Sequence, residues 1–484
     1  MCLVIIYMIV LIIYQQSDGL SRFFSEKFCF SGILWYNDNI MNSRRTKRMN
    51  INLSDYCSRR IRCSCGREHF CPISDIVICS GALNRLPDIL QGYNKIFLVA
   101  DTNTYAACGR RVQELLDGKT AGLLVFECEG ALVPDEEAIR TLGGQVPEEA
   151  DLILGVGSGV INDLCKYTAW KRGLDSAIVA TAPSMDGFAS SGAAMIIGGM
   201  KVTYTAQPPK YIIADIDVVK NAPMDMIRSG YGDIIGKYSS LNDWKLSHLI
   251  CGEYFCQEIY DLVLCVTDDI HGLAAGIAAR EDYAIEQLTK ALVLIGITLS
   301  LVETTRPGSG SEHHLSHFFE IVGLVRHRKH FPHGTDVAYN TIMTAGMREQ
   351  ICRMEEPCFC EESAEDRDRA WERIYASVAE EVRALQQESG SYERDLNPVY
   401  REKWQEIREI LAECPSAAEC DRMMSAVGLS FPECERMYGK EKIRDAMLYG
   451  KDLKNRYSML WLYYSLFSGK SAEVDGTAFL AEQG

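Results

Sequence analysis

An excess of positive charge is absent from this chain. Its 484 residues include 50 Lys and Arg against 66 Asp and Glu, which gives a formal net charge of −16. Because nucleic-acid phosphates are bound by clustered Lys and Arg, this balance argues against a nucleic-acid partner. The field inside a cleft can oppose the global sign, so a small anionic substrate remains compatible with it.

A compact disulfide framework is also missing. The 19 cysteines are scattered along a chain much longer than the usual disulfide-rich scaffold. Several of them, including Cys165 and Cys265, lie within apolar runs, where a free thiol packs as a small hydrophobic group. We therefore expect a reducing, cytoplasmic compartment.

No membrane-spanning segment is expected. The apolar residues 1–14 are too few to cross a bilayer comfortably, and no basic residue precedes them. They suggest either a signal anchor or an over-extended gene start with translation from Met41 or Met49, and we favour the second. Residues 1–50 are accordingly predicted to be an extension, either disordered or mis-assigned.

Short apolar runs alternate with helix-compatible segments from about residue 75 onward. Such alternation is typical of a parallel sheet with helices on both faces, which is the doubly wound nucleotide-binding layout. The predicted strands are 95–100, 122–128, 151–155, 176–180 and 211–219.

The pattern changes after Pro223 to longer helical periodicities. Residues 371–385 show it clearly, since apolar side chains recur there every three or four positions and predict an amphipathic helix. The length also favours two domains. We predict an α/β NAD(P)-binding domain over 51–220 and an all-helical domain for metal and substrate over 221–484.

A glycine-rich turn follows the third predicted strand. Gly155, Gly157 and Gly159 alternate with Val156 and Ser158, and a helix is predicted from Val160 to Lys171. Small residues at this place let backbone N–H groups approach a pyrophosphate, and the helix dipole adds a favourable field. The spacing is not the Gly-x-Gly-x-x-Gly fingerprint, and a purely structural turn is the alternative.

A second polar turn, 181–187, follows the fourth predicted strand. Its hydroxyl groups are suited to bind a cofactor, and Asp186 to hold a substrate hydroxyl. A turn stabilised by Ser and Asp side chains explains the same residues equally well. Asp101, at the end of the first predicted strand, is a candidate partner for the adenine ribose.

Histidines are concentrated in one short region. Six of the nine fall between 313 and 333, and His313 and His317 share a helix face because they are four residues apart. Imidazoles bind transition metals well, and two of them with one carboxylate leave positions open for a reacting oxygen. Asp233, a charged residue in an apolar segment, is the candidate carboxylate, since a buried carboxylate needs a partner. His327 and His330, in a basic run, are predicted to be solvated.

These motifs together resemble the superfamily of iron-dependent alcohol dehydrogenases, glycerol dehydrogenases and dehydroquinate synthases, and within it the sn-glycerol-1-phosphate dehydrogenases most of all. The resemblance covers roughly residues 75–350 and is carried by the segments 180–194, 230–244, 306–317 and 333–338. It implies a dehydroquinate synthase-like fold and a reversible, NAD(P)H-linked reduction of dihydroxyacetone phosphate to sn-glycerol 1-phosphate. It also implies one divalent metal per chain, zinc first and nickel or iron as alternatives.

The resemblance implies roles for individual residues as well. Asp233, His313 and His333 resemble the metal ligands, with His313 preferred to His314 because it stands four before His317. Asp186, Asp233 and His317 resemble substrate contacts, and Asp233 and His317 are the catalytic candidates. The implied cofactor contacts are Gly157, Ser158, Gly159, Val160, Ile161, Thr181, Ala182, Pro183, Ser184 and Ser190.

From these assignments we expect the metal to act as a Lewis acid on the carbonyl and His317 to help relay a proton. Lys237 is a candidate for the substrate phosphate. The expected partners are a small phosphate ester and further copies of this chain, as a dimer or larger homo-oligomer.

Three rival functions remain open. A dehydroquinate synthase would need several basic residues near the metal, and only Lys237 and Arg306 are at hand. A simpler glycerol dehydrogenase would not depend on the phosphate. A structural zinc module is suggested by three cysteines and a histidine within residues 63–71, but Cys-x-Cys is cramped, because structural zinc usually joins separated pairs of ligands.

Overall fold

Six parallel strands form the centre of the first half of the chain. The computed structural model describes residues 51–127, 130, 132–198, 200–326 and 331–468. The predictions for residues 1–50, His327 and His330 therefore lie outside the described residues. The strands are β1 Arg60–Arg62, β2 Glu68–Phe70, β3 Asp75–Cys79, β4 Ile96–Asp101, β5 Thr120–Phe126, β6 Leu152–Gly157, β7 Asp175–Ala180, β8 Gly192–Ile197, β9 Met200–Thr205 and β10 Tyr211–Asp215.

The six-stranded sheet has the order β3-β10-β7-β6-β4-β5, and every neighbouring pair is parallel. Apart from Asp101 at the end of β4, the central strands β4 and β6 are apolar, as expected for strands covered on both faces. The chain runs outward from β4 to β5 and in the opposite direction from β6 to β7. Open α/β sheets bind ligands where the strand order reverses in this way, and here that point lies between β4 and β6.

Helices surround this sheet and then make up the rest of the described chain. They are α1 Leu86–Ile89, α2 Thr102–Thr104, α3 Arg110–Leu115, α4 Glu136–Gln145, α5 Gly159–Arg172, α6 Ile216–Val219, α7 Met224–Ile235, α8 Lys237–Cys251, α9 Gln257–His271, α10 Ala274–Ala278, α11 Asp282–Val302, α12 Ser311–Val325, α13 His333–Cys352, α14 Ala364–Tyr375, α15 Ala379–Ser389, α16 Asn397–Glu402, α17 Trp404–Leu411, α18 Ala417–Ser425, α19 Pro432–Tyr449 and α20 Met459–Phe467. The predicted fold class, a parallel α/β region followed by a helical one, is thus confirmed. The boundary at 221 stays a prediction, because sheet and helices lie in one unit that begins at Ile51.

Neither of the predicted runs 211–219 and 371–385 forms one continuous element. The run 211–219 is a strand only to Asp215, because the Asp215 carboxylate accepts from the Asp217 N–H at 3.1 Å and caps the short helix α6. The amphipathic pattern over 371–385 is divided between α14 and α15. Ala376 lies between them with φ +47° and ψ −111°, a non-helical conformation that interrupts an α-helix.

Strand β3 and the antiparallel hairpins β1-β2 and β8-β9 were not predicted. Strands of three residues are too short for alternation to show, and β8 contains three small or flexible residues, Gly192 to Ala194.

One helix in the described part of the chain, α11, passes a length-and-hydropathy test for a membrane span. In its most apolar stretch 89% of the residues are buried inside the protein. Packing in the core accounts for its apolar character.

Candidate active site

Two glycines let helix α7 approach its neighbours closely. A Cβ atom at Gly230 would lie 1.8 Å from the carbonyl oxygen of Pro183, and one at Gly334 would lie 2.0 Å from the carbonyl oxygen of Ser229. No residue with a side-chain carbon fits at either place. Helix α7 therefore packs directly against the turn after β7 and against the start of α13, which carries His333.

The predicted metal ligands come together at this junction. The Nε2 atom of His313 is 3.7 Å from Oδ1 of Asp233, and the His313 and His333 ring centroids are 5.1 Å apart. The His317 ring lies 6.2 Å from that of His313 and 5.8 Å from that of His333. Asp233 is fully buried, whereas His317 and His333 are partly exposed, so the group is open on one side.

The rings of the two adjacent histidines, His313 and His314, point in different directions. His314 is fully buried and faces the C-terminal segment, where Arg456 Nε donates to its Nε2 at 3.4 Å. Burial, and then the charge of Arg456, hold the pKa of His314 well below its usual range. His313 faces Asp233 and His333 instead. The geometry therefore favours His313 as the ligand.

Buried carboxylates hold His313 in place. Nδ1 of His313 is 2.7 Å from Oε1 of Glu312, and the same oxygen accepts from the Gly310 N–H at 2.7 Å. Burial alone would raise the pKa of Glu312, but the hydrogen bond and charge of His313 lower it to about 2. Asp243 accepts from the Ser311 backbone N–H and hydroxyl and so fixes the start of α12. This arrangement leaves Nε2 of His313 directed at Asp233.

Lys237 is a positioning residue rather than an open phosphate site. Its fully buried Nζ is 2.7 Å from Oδ1 of Asp233, 2.6 Å from Oδ2 of Asp186 and 2.9 Å from the Gly308 carbonyl oxygen. Burial would lower the pKa of Lys237, but the two carboxylates outweigh it and raise that pKa. Two hydrogen bonds and an ion pair with Asp186 already occupy this amine, so the predicted contact with the substrate phosphate is not supported.

Asp186 lies beside the metal-ligand group, as its predicted substrate role requires. Its backbone N–H donates to Oδ2 of Asp233 at 3.0 Å. Burial, and then the negative charge of Asp233, raise the pKa of the Asp186 carboxyl group. Converging carboxylates of this kind favour a nearby cation, and together with the imidazoles they form a donor set suited to a divalent metal.

The predicted cofactor turn joins the central strand β6 to helix α5. A Cβ atom at Gly157 would lie 2.6 Å from the Ile161 side chain, so the tight turn itself requires that glycine. Ser158, the N-cap of α5, is 2.5 Å from the hydroxyl of Ser184 in the next turn. Residues 158–160 are partly exposed, while Thr181, Ala182 and Pro183 are buried below them. The two predicted cofactor segments thus adjoin at the carboxyl edge of the sheet.

Asp101 ends β4, across the reversal point from Gly157. Its carboxylate accepts from the Thr104 backbone N–H at 2.8 Å, which makes it a helix N-cap. One oxygen is thereby occupied, and the ribose role stays a prediction.

Lys166 and Arg456 were missed by the sequence reasoning. The buried Lys166 amine donates to the carbonyl oxygens of Gly187 at 3.1 Å and Gly192 at 2.5 Å, and it pairs with Asp163 at 2.9 Å. It therefore fixes the backbone that follows Asp186, close to Ser190. The sequence signal that could have indicated this role is a lysine on the apolar face of a predicted helix.

Arg456 and Arg306 support the loop that leads to His313. Arg456 donates to the Thr305 hydroxyl at 2.6 Å and to the Ser309 carbonyl at 2.9 Å. Arg306 is buried and paired with Glu253, its Nε lying 2.7 Å from Oε1. Neither guanidinium offers the cluster of open basic groups that a larger anionic substrate would need.

Several known proteins are similar to this chain in fold or in sequence. Residues 77–223 match the family model described as iron-containing alcohol dehydrogenase. Among solved structures, an archaeal halo-thermophilic alcohol dehydrogenase from a Red Sea brine pool is 15% identical, with a TM-score of 0.56, and the match covers 85% of this chain and all of that one. A probable glycerol dehydrogenase from Sinorhizobium meliloti is 16% identical, with a TM-score of 0.56 and coverage of 84% and 96%. At these identities the structures show a shared fold.

Two curated relatives are more similar in sequence. A glycerol-1-phosphate dehydrogenase [NAD(P)+] of Geobacillus stearothermophilus is 33% identical over 434 residues, which cover 86% of this chain and 99% of the relative. The enzyme of the same name from Halalkalibacterium halodurans is 35% identical over 300 residues, covering 60% and 75%. This chain belongs to the glycerol-1-phosphate dehydrogenase family, within the iron-containing alcohol dehydrogenases.

Proposed function

We propose that this chain reversibly reduces dihydroxyacetone phosphate to sn-glycerol 1-phosphate with NADH or NADPH. The observation that carries the proposal is the convergence of Asp233, His313, His333 and His317 beside Asp186, next to the turns that end β6 and β7. The names of the curated relatives supply the substrate and the cofactor class.

Asp233, His313 and His333 would hold one divalent metal. When bound, the cation supplies a Lewis acid for the carbonyl oxygen, and the nicotinamide supplies the hydride. Lys237 neutralises part of the negative charge of Asp186 and Asp233, and Glu312 orients His313. A hydrogen bond or ion pair to the side of a metal ligand that faces away from the metal sets the direction of the ligand's lone pair.

His317 is the candidate group for moving a proton. It is partly exposed and stands one helical turn from His313, so it can exchange protons with solvent while facing the substrate position. Asp186 would orient a substrate hydroxyl. Gly157 to Ile161, Thr181 to Ser184 and Ser190 would bind the cofactor, with Ser158 and Ser184 joining the two turns.

The deciding experiment is a spectrophotometric assay of the purified protein with dihydroxyacetone phosphate and each reduced nicotinamide in turn. Chiral analysis of the product must show sn-glycerol 1-phosphate. Asp233→Asn and His313→Ala should abolish turnover, and treatment with a chelator should do the same until zinc, nickel or iron is restored. The preferred nicotinamide and metal are read from the same assays.

Two results would contradict the proposal. Equal rates with dihydroxyacetone and its phosphate ester would indicate a glycerol dehydrogenase instead. Full turnover in Asp233→Asn would remove the metal from the mechanism. We further expect a cytoplasmic homo-oligomer. No disulfide joins the cysteines in the described part of the chain, which suits a reducing compartment.

A further inference from the structure

A group of side chains that could ligate a metal ion lies outside the candidate active site. Cys63, Cys65, His69 and Cys256 bring their ligand atoms within 4.8 Å of one another. The Cys63 and Cys256 sulfurs are 3.4 Å apart, and Nε2 of His69 is 3.5 Å from the Cys65 sulfur and 3.8 Å from that of Cys256. Around a tetrahedral zinc ion, with Zn–S about 2.3 Å and Zn–N about 2.0 Å, neighbouring ligand atoms are about 3.5 to 3.8 Å apart.

The ligand set differs from the one considered in the sequence. Cys71 completes the run 63–71 but is not part of the group. The fourth ligand is Cys256, 187 residues after His69, at the N-cap of helix α9. A cramped Cys-x-Cys pair thus gains the separated partners that a tetrahedral site needs.

The hairpin backbone presents the two nearby cysteines together. Cys63 N–H donates to the Arg67 carbonyl at 3.2 Å, and Gly66 N–H donates to the Cys63 carbonyl at 3.1 Å. Gly66 has φ +82°, which a residue with a side chain adopts only with strain. The resulting turn between β1 and β2 folds Cys65 back toward His69.

The histidine is already oriented for metal binding. Nδ1 of His69 is 2.6 Å from the Leu301 carbonyl oxygen, which can only accept, so Nδ1 carries the proton. The lone pair of Nε2 then points at the thiols. Metal-binding histidines usually have such a partner on the other nitrogen. His69 is also buried, with an exposed fraction of 2%.

The surroundings suit thiolates bound to a cation. The Tyr254 hydroxyl is 3.1 Å from the Cys65 sulfur and can donate to it, and the Arg67 guanidinium lies 3.5 Å from the centre of the Tyr254 ring. A disulfide is a poorer account, because a sulfur–sulfur bond is about 2.05 Å long and would leave the histidine and third thiol without a role.

We propose that Cys63, Cys65, His69 and Cys256 bind a structural zinc ion, separate from the active-site metal. Four protein ligands leave no open position, so the ion is a clamp rather than a catalyst. It joins the first hairpin to the start of α9, and His69 adds a bond to the end of α11. Glu253, three residues before Cys256, holds Arg306 in the loop that leads to His313. Through Glu253 and Arg306, the zinc ion therefore stabilises the loop that leads to His313.

The test is a metal count on the full-length protein purified without added metal. In Asp233→Asn/His313→Ala, whose active site is disabled, about one zinc per chain should remain. Adding Cys65→Ser or Cys256→Ser to that variant should remove it. Cys251→Ser, which changes an exposed cysteine five residues before Cys256, should leave it in place. In the otherwise native protein, Cys256→Ser should lower the melting temperature by about 5 °C or more.

Cobalt substitution identifies the ligands without depending on the cysteine variants. Cobalt in the disabled-active-site protein should give thiolate charge-transfer bands and the strong visible absorption of a tetrahedral thiolate site. Absence of metal from that protein, cobalt spectra without sulfur ligation, or a Cys63–Cys256 disulfide in mapped peptides would each overturn the proposal. None of these results bears on dihydroxyacetone phosphate reduction, so this inference and the proposed function fail separately.

Discussion

At the scale of single residues, the active site depends on buried charges that compensate one another. Asp233 and Asp186 converge on the Lys237 amine, and Glu312 accepts from the fully enclosed side of His313. Buried charges of this kind are tolerated only when paired and hydrogen-bonded. Here the free energy lost on burying these charges is offset by the same contacts that direct each ligand toward one point.

His317→Ala should separate proton transfer from metal binding. We expect turnover to fall about 10²- to 10⁴-fold, the usual contribution of a positioned acid or base, with metal content unchanged. Steady-state rates and metal analysis on the same preparation check this, with His313→Ala as the variant that loses metal. Loss of metal from His317→Ala would make His317 a ligand instead.

Glu312→Gln should weaken metal binding while keeping the side-chain volume. The neutral amide replaces the charged carboxylate that accepts from Nδ1 of His313. Loss of such a partner behind a metal ligand lowers metal affinity about 10- to 100-fold. Competition with a chromophoric chelator measures the change. Glu365→Gln, at an exposed position in α14, is the matched control and should leave affinity as it is.

At the scale of elements, close helix contacts decide where the ligands meet. Helix α7 carries Asp233 and touches both the β7 turn at Gly230 and the start of α13 at Gly334. The separation of these helices is therefore set by backbone atoms rather than by side chains. A small increase would part Asp233 from the histidines.

Gly334→Ala should destabilise the protein and impair metal binding. The added methyl group meets the Ser229 carbonyl oxygen, and overpacking of this kind costs about 1–3 kcal/mol or more. Chemical denaturation with a parallel metal count measures both effects. Gly144 is an exposed helical residue, and a Cβ atom added there would meet no neighbouring atom within 4 Å. Gly144→Ala should therefore leave the stability equal or up to about 1 kcal/mol higher. Similar losses for both variants would rule out a packing cause.

At the scale of the whole molecule, buried polar groups join segments that are distant in sequence. Arg306 donates to Glu253, to the Tyr457 carbonyl at 2.6 Å and to the Ser247 hydroxyl at 3.2 Å. These bonds connect the loop before α12 to the end of α8 and to the segment before α20. Nothing in the local sequence around 306 indicates such a hub.

Arg306→Met should therefore be costly well away from the reacting atoms. It removes the guanidinium from the Glu253 carboxylate, which is about one third exposed and keeps the Ser247 hydroxyl as a donor, and we expect a loss of about 3 kcal/mol, the lower end for a broken buried pair. Unfolding in urea measures it. Arg353→Met, at a side chain that is 74% exposed and paired with Glu349 one turn earlier, should change stability by less than about 0.5 kcal/mol. Comparable losses would contradict a buried hub.

The sequence alone determined the fold class and the candidate active-site residues. Apolar runs directly indicate buried segments. The glycine turn at 157 and the pair His313 and His317 could be predicted because the residues of each motif are close together in the sequence. Their resemblance to known enzymes supplied the chemistry. Strands of three residues and the break at Ala376 carry too little pattern to be read in this way.

Only the tertiary structure decided which residues share a site. It separated His313 from His314 by the direction of their rings, engaged Lys237 with two carboxylates and brought Cys256 to the Cys63–His69 hairpin. The physical reason is that coordination and ion pairing act over about 2 to 4 Å in space, whereas spacing along a chain specifies distance only within one helix or strand.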